Sequence, residues 1–343
     1  MYLIRKLYSL NSCGRFVSVL DIPNFTRIIA DSDFDGLCGA AILKKYNPDA
    51  EIIFSHAALI RNGSMDDVMN KDTVIIDLPF HQNCGWYLDH HQTNKPSKEE
   101  LVKFEKNGGL IDWQPTPSAA RLAYERIKDH ADLTNFVEIM PFVDALDSGG
   151  ITLQEFLADG DLMRFSRTLF LTESDYMLDI VEMLSKGSSM AEILDSPNVK
   201  DRIENEKDKR KLLESFVANN TEIIDRLAVC HLENSGYTSN GYLVTAWAGE
   251  RADACCIIHG YSNGKLDFSD RPPLSASFYA NSFIEGGQGR YDLSKLATRF
   301  DPNGGGHMNA CGCRIQEPGL EHNLSHWLEM WANRNELLAT SKD

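Results

Sequence analysis

Three short stretches of this sequence place acids and imidazoles where a divalent cation would want them. Asp31-Ser32-Asp33-Phe34-Asp35-Gly36 holds three carboxylates, Asp77 stands alone, and Asp89-His90-His91 follows. Carboxylate oxygens together with imidazole nitrogens suit Mn²⁺ or Mg²⁺ better than a metal that prefers thiolates. Several carboxylates gathered in one low-dielectric cleft would repel strongly unless cations compensate. Each piece alone is a weak signal. The first also resembles a calcium loop, but such a loop needs a Glu at its twelfth position. Counting from Asp31 that position is Ile42, and counting from Asp33 it is Lys44. An Asp after a strand commonly caps a helix or makes a turn, and paired histidines are common on surfaces. The joint occurrence is what carries weight.

The elements that must position these groups are readable. Each acidic stretch directly follows an apolar run: FTRIIA over 25–30, TVII over 73–76, and WYL over 86–88. EIIF over 51–54 is another such run. Between them, Leu37 to Tyr46 and the segment from Ser118 read as helices, with Ser118 as an N-cap after Pro117. Strands alternating with helices predict an α/β domain with a doubly wound, mostly parallel sheet. Ligands bind such a sheet at the carboxyl ends of its strands, which is where the acids stand.

From about residue 151 to 232 helix formers and charges dominate, and 199–211 (VKDRIENEKDKRK) reads as an exposed connecting helix. Strand signals return in YLVTAW, ACCIIHGY and LSASFYA, followed by glycine-rich stretches at 286–289 and 304–306. The expected organisation is a catalytic domain over 1–195, a helical linker over 196–235 and a smaller α/β domain over 236–343. A chain of 343 residues has room for two domains. Its net charge of −16 argues against long duplex DNA as main partner, because that affinity comes from Lys and Arg neutralising phosphates. A short anionic substrate is compatible with it. Eight scattered cysteines without a CxxC pair predict free thiols rather than a zinc ribbon or disulfide framework. No apolar run reaches the ~20 residues of a membrane span. The short apolar N-terminus lacks a signal-peptide pattern. The expectation is a soluble, cytoplasmic protein.

In order and spacing, these residues resemble the DHH phosphoesterases that carry a DHH-associated C-terminal domain. That group includes RecJ-type exonucleases, nano-RNA and pAp hydrolases and cyclic-dinucleotide phosphodiesterases; family II pyrophosphatases and exopolyphosphatases share its first half. The matching elements are DSDFDG, Asp77 in VIIDLP, the triplet Asp89-His90-His91, Asp147-Ser148-Gly149 in PFVDALDSGG, and GGGHMNACG from Gly304 to Gly312. They run from about residue 25 to 315, nearly the whole chain. Two features depart from the pattern. Many relatives have a His four residues before the first metal-binding Asp, where Ile29 precedes Asp33; Asp31 would take that role, as in RecJ. Asp144 and Asp147 both fall in the fourth element.

The resemblance implies a two-metal hydroxide mechanism with Mn²⁺, or Mg²⁺ or Co²⁺. Asp31, Asp33 and Asp77 would hold one cation, and Asp35, Asp77, His90 and Asp147 (alternatively Asp144) the other. Asp89 would orient a histidine, and His91 would face the substrate to protonate the leaving group or stabilise charge. Gly304, Gly305 and Gly306 would offer backbone N–H groups to phosphate, with His307 and Asn309 reaching into the cleft. Arg271 and Arg290 are candidate phosphate anchors, and Ser118 a cleft residue. Of the aromatics near these stretches, Phe278, Tyr279 and Phe283, core packing is the expected role. The implied substrates are short single-stranded oligonucleotides, cyclic dinucleotides or nucleoside bisphosphates. Polyphosphate or pyrophosphate hydrolysis is the alternative, and a non-catalytic nucleotide-sensing module the third reading. No membrane partner is expected, and a homodimer is compatible.

Overall fold

The structure, a computed structural model, describes residues 8–10, 16–18, 22–266 and 271–339. A five-stranded sheet carries the first half of the chain. Its order is Glu51–Ser55, Arg27–Asp31, Thr73–Ile76, Trp86–Asp89, Leu110–Trp113, and every neighbouring pair is parallel. The strands Thr73–Ile76 and Trp86–Asp89 are buried throughout, because helices and loops cover both faces. Alternate residues divide between the two cores: Ile28, Ala30, Val74 and Ile76 face one, Ile29, Ile75 and Tyr87 the other. The chain leaves Arg27–Asp31 for the edge strand Glu51–Ser55 and returns on the opposite side at Thr73–Ile76. That reversal is the topological switch point, the crevice where α/β sheets bind ligands.

The helix Phe34–Tyr46 packs tightly on this sheet, since a Cβ on Gly39 would stand 2.4 Å from Ile76 Cδ1. The edge strand Leu110–Trp113 has no long apolar run and is not evident in the sequence.

The connector is the 23-residue helix Pro197–Asn219. Val199 and Ile203 belong to the core of the first domain and Val217 to a core under the second sheet, so one helix is anchored in both. The second sheet has six strands in the order Gly305–His307, Ala310–Arg314, Ser275–Ala280, Ala254–His259, Leu227–His231, Thr221–Ile224. It begins fifteen residues before the expected boundary at 236. The hairpin Thr221–His231 turns through Asp225 and Arg226, both at positive φ (44° and 69°). Asp-Arg lacks the glycine that usually marks such a turn.

YLVTAW, expected as strand, lies in the helix Gly241–Ala248. The run is buried nearly all round, so no period separates strand from helix. The helix is required there: Leu227–His231 and Ala254–His259 are parallel neighbours, and parallel strands need a crossover. The described cysteines are all free and buried; Cys13 lies outside the described residues. Among the described residues no helix is long and apolar enough to cross a membrane.

Candidate metal centre and interdomain cleft

The acids meet at the switch point. Asp33 is the N-cap of the helix Phe34–Tyr46, its Oδ1 accepting from Gly36 N at 2.9 Å. Asp31 Oδ1 accepts from Ser32 N at 2.6 Å. Asp35, in the first turn of that helix, is buried. Its two oxygens accept from Ala119 N and Ala120 N, both at 2.7 Å, at the positive end of the helix Ala119–Ile127. Asp77 follows its strand at φ 62°, in the left-handed region that aspartate tolerates better than most residues.

His90 is at the centre. Its Nδ1 stands 2.9 Å from Thr116 O. A carbonyl only accepts, which assigns the proton to Nδ1 and a lone pair to Nε2. That Nε2 lies 3.3 Å from Asp147 Oδ2 and 3.6 Å from both Asp35 Oδ2 and Asp77 Oδ1. His307 Nε2, from the second domain, is 3.9 Å from Asp147 Oδ2. His90 Nε2, Asp77 Oδ1, Asp147 Oδ2 and His307 Nε2 are all buried and have no hydrogen-bond partner. Buried polar atoms are nearly always paired. Asp35, His90 and Asp147 bring a ligand atom each within 4.8 Å of one another, as do Asp77 and His90, so the unpaired atoms about His90 Nε2 fit a divalent cation, and their oxygen and nitrogen chemistry fits Mn²⁺ or Mg²⁺.

The electrostatics agree. Burial first, and then Asp35, Asp33 and Asp147, push Asp77 well above the usual carboxylate range. Burial does the same to Asp147 and Asp31, and lifts Asp35 to about 7. Burial drives His90 down to about 4.

Asp89 is fully buried and faces the other way. Its Oδ1 accepts from His90 N and His91 Nδ1, both at 2.8 Å, and its Oδ2 accepts from Tyr87 OH at 2.7 Å. Burial opposes its ionisation, but the charge and hydrogen bond of His91 win and hold it at about 2. Burial likewise opposes protonation of His91, and Asp89 raises it to about 9. The His91 ring stacks on His307, with centroids 4.1 Å apart.

The structure separates the two candidate acids of the fourth element. Asp144 accepts from Ser118 Oγ at 2.6 Å and from Arg121 Nε at 3.0 Å, so both its oxygens are engaged. Asp147, one turn on, is the acid that faces His90. Ser118 is fully buried and caps the helix Ala119–Ile127, so its hydroxyl is not available to the cleft.

The glycine run differs from the expected phosphate cradle. Gly306 N donates to Thr93 Oγ1 at 2.7 Å, and Gly304 N donates to Asp301 O at 2.9 Å. A Cβ on Gly305 would stand 2.6 Å from Thr93 Oγ1. The glycines let the second domain press against the first and bring His307 to the acids. Arg61 adds to this seam, bonding Asn303 O and Asn94 Oδ1. Asn309 lines the cleft, its Oδ1 accepting from Gly289 N at 2.7 Å.

No protein-family model and no curated protein matches the sequence. Solved structures do match. The pGpG-specific phosphodiesterase PggH from Vibrio cholerae overlays with a TM-score of 0.60 at 22% identity, over 91% of this chain and 99% of that one. An exopolyphosphatase-related protein from Bacteroides fragilis gives 0.52 at 15% identity, over 90% and 93%. The chain shares its two-domain fold with these two proteins.

In this fold the cleft between the domains encloses about 1190 Å³, with Asp33, Asp35, His90, Asp147 and His307 on its wall. Arg271 and Arg290 do not line it. Arg271 stacks on Tyr261 and bonds Asn263 Oδ1 at 2.8 Å, while Arg290 lies 3.7 Å from Asp253. The cations on the wall are Arg167, Lys209 and Arg210, which sequence reasoning missed. Arg167 and Arg210 share Asp159, at 2.7 and 2.5 Å. Nothing local distinguishes these arginines from the many on exposed helices. Among the aromatics named from sequence, Phe278 is core against Trp327, Phe283 packs on Phe156 and Tyr242, and Tyr279 reaches the cleft. Phe156, Phe170, Tyr237 and Tyr242 also line it and carried no signal in the sequence.

Proposed function

We propose that this chain is a divalent-cation-dependent phosphoesterase that hydrolyses phosphodiester bonds in short oligonucleotides, cyclic dinucleotides or nucleoside bisphosphates. One observation carries the reading: unpaired carboxylate and imidazole atoms cluster on the wall of a cleft that is otherwise largely apolar and aromatic. The first part calls for cations and a phosphoryl group, the second for nucleobases. Phosphate chains alone would want unpaired cations along the wall, whereas Arg167 and Arg210 are tied to Asp159.

Asp31, Asp33 and Asp77 would hold one cation, and Asp35, Asp77, His90 and Asp147 the other, with Mn²⁺ favoured over Mg²⁺ or Co²⁺. Asp35 can serve although both oxygens accept backbone N–H groups, because a carboxylate offers about four lone-pair sites. Bound cations supply Lewis-acid polarisation of phosphoryl oxygens and bring water toward neutral acidity. Thr116 O holds the His90 tautomer, so that Nε2 presents its lone pair. Asp89 keeps His91 protonated and fixes its ring through Nδ1, leaving Nε2 to give a proton to the leaving oxygen. His307 closes the site from the second domain.

The test is Mn²⁺-dependent hydrolysis of a panel of dinucleotides, cyclic dinucleotides, pAp and polyphosphate. Turnover of a nucleotide substrate, lost on chelation, is expected. Turnover of polyphosphate alone would move the reading to a polyphosphatase; tight nucleotide binding without turnover would make the chain a sensor. Within this scheme Asp89→Asn should lower kcat about 10- to 100-fold. The amide cannot hold His91 as a cation, so the loss should grow as pH rises toward about 9 in a pH–rate profile. A flat profile matching the wild type would remove His91 from proton transfer.

A further inference from the structure

We infer that Phe170 is a stacking platform for a nucleobase of the substrate, a proposal that rests on the phosphoesterase reading above. Phe170 is 44% exposed. Among the exposed large hydrophobic side chains of the described residues it is the sole aromatic and the sole one on the cleft wall. Its neighbours Thr168 and Leu169 are buried, and the backbone at Phe170 is extended (φ −140°, ψ 143°). The chain is thus anchored immediately before the ring, and the ring is left out. No ring of the described residues stacks on it, in contrast to Phe156 and Tyr242, which pack on one another and on Phe283. An apolar ring face held in water on the wall of a ligand cleft gains by being covered, and every nucleobase has a π-face that can cover it.

The second domain supplies what a base edge needs. Residues 236–240 line the same cleft. Thr238 and Asn240 are exposed there, and their side chains make no hydrogen bond among the described residues. An amide offers both donors and an acceptor, so Asn240 can pair with a base edge while Phe170 carries its face. Phe170 comes from the catalytic domain and Asn240 from the other, so this subsite, like the metal centre with His307, needs both domains in place. Stacking tolerates any base and the edge contact discriminates among them. The expected pattern is therefore affinity from Phe170 and preference from Asn240.

The experiment compares hydrolysis of a dinucleotide with that of its abasic analogue, in Mn²⁺, by the wild type, Phe170→Ala and Phe170→Trp. Stacking of one base predicts that Phe170→Ala raises KM for the dinucleotide roughly 5- to 100-fold with little change in kcat. Phe170→Trp should recover most of that loss. On the abasic analogue the wild type should already show the weak KM, and the alanine variant should add little to it. Equal KM values for wild type and Phe170→Ala on the dinucleotide overturn the inference, as does an equal loss on both substrates, which would mark a structural role. In either case wild-type turnover leaves the phosphoesterase reading standing. The comparison is made on whichever nucleotide of the panel above the wild type turns over, with its abasic analogue; a wild type that turns over none of them overturns that reading and this inference with it.

Discussion

Asp77→Asn is expected to lower Mn²⁺-dependent hydrolysis by at least about a thousandfold while leaving the protein folded. Asp77 is the acid assigned to both cations. Its Oδ1 has no hydrogen-bond partner and stands 3.6 Å from both His90 Nε2 and His91 Nδ1. A cation's contribution to transition-state stabilisation is several kcal/mol, and each 1.36 kcal/mol is a factor of ten in rate. Losing the shared ligand of two cations therefore reaches about three decades. Asn is the right replacement because the residue sits at φ 62°. Asn tolerates that conformation, whereas Ala would add a backbone cost of order 1 kcal/mol and confuse the result. Without metal the variant should melt no lower than the wild type. The carboxyl it removes is one that burial and four neighbouring acids make costly to ionise. Activity above a tenth of wild type would remove Asp77 from the bridging position. A large drop in the metal-free melting temperature would show that it supports the fold instead.

Burial makes these acids costly for the bare fold, and that is why this half of the molecule was legible in the sequence. Parallel strands buried on both faces read as short apolar runs, and an acid at the end of each breaks the pattern visibly. Asp33, Asp35, Asp77 and His90 announce themselves because nothing in a strand or cap demands such a concentration of charge. Where two acids share a helix turn, type alone does not decide. Asp144 and Asp147 differ in what they face, and Arg121 and Ser118 reach Asp144 from a helix about 25 residues earlier. Ser118 itself reads correctly as a cap, and that same role withdraws it from the cleft. The glycines 304–306 suggest backbone freedom, but not that Thr93 occupies the space and the N–H of Gly306. Gly241–Ala248 was hidden for the opposite reason: buried nearly all round, it has no polar face to show its period. Phe170 and the arginines at Asp159 carry no local mark, because their meaning lies in which wall of the cleft they occupy.

Chelation should turn the acid cluster from an asset into a liability whose size depends on pH. Asp35, with its folded-state value raised from 3.8 to about 7, contributes stability that is present below about pH 4 and lost as pH rises through 7. Asp77 and Asp147, also raised by burial, act in the same direction. His91, raised to about 9, contributes stability that is present below about 6.5 and lost as pH rises through 9. His90 and His307 are pushed down to about 4 and about 2, so they oppose this trend only below about pH 6.5, where the unfolded chain gains their protons. Asp89, lowered to about 2, contributes stability that is lost only in strong acid. Between about pH 6.5 and about pH 8.5 the metal-free protein should therefore melt progressively lower as pH rises. Added Mn²⁺ should reverse the slope, because cations compete with protons for the same oxygens and win more easily as pH rises. At free metal about 100-fold above Kd the stabilisation is about 2.7 kcal/mol, or roughly 4 °C for a chain of 343 residues. Thermal melts with chelator and with Mn²⁺ across that range provide the check. A chelated protein that grows more stable toward pH 8.5, or one whose melting temperature ignores Mn²⁺, would mean that these carboxylates are satisfied without a cation and that the centre is not a metal site.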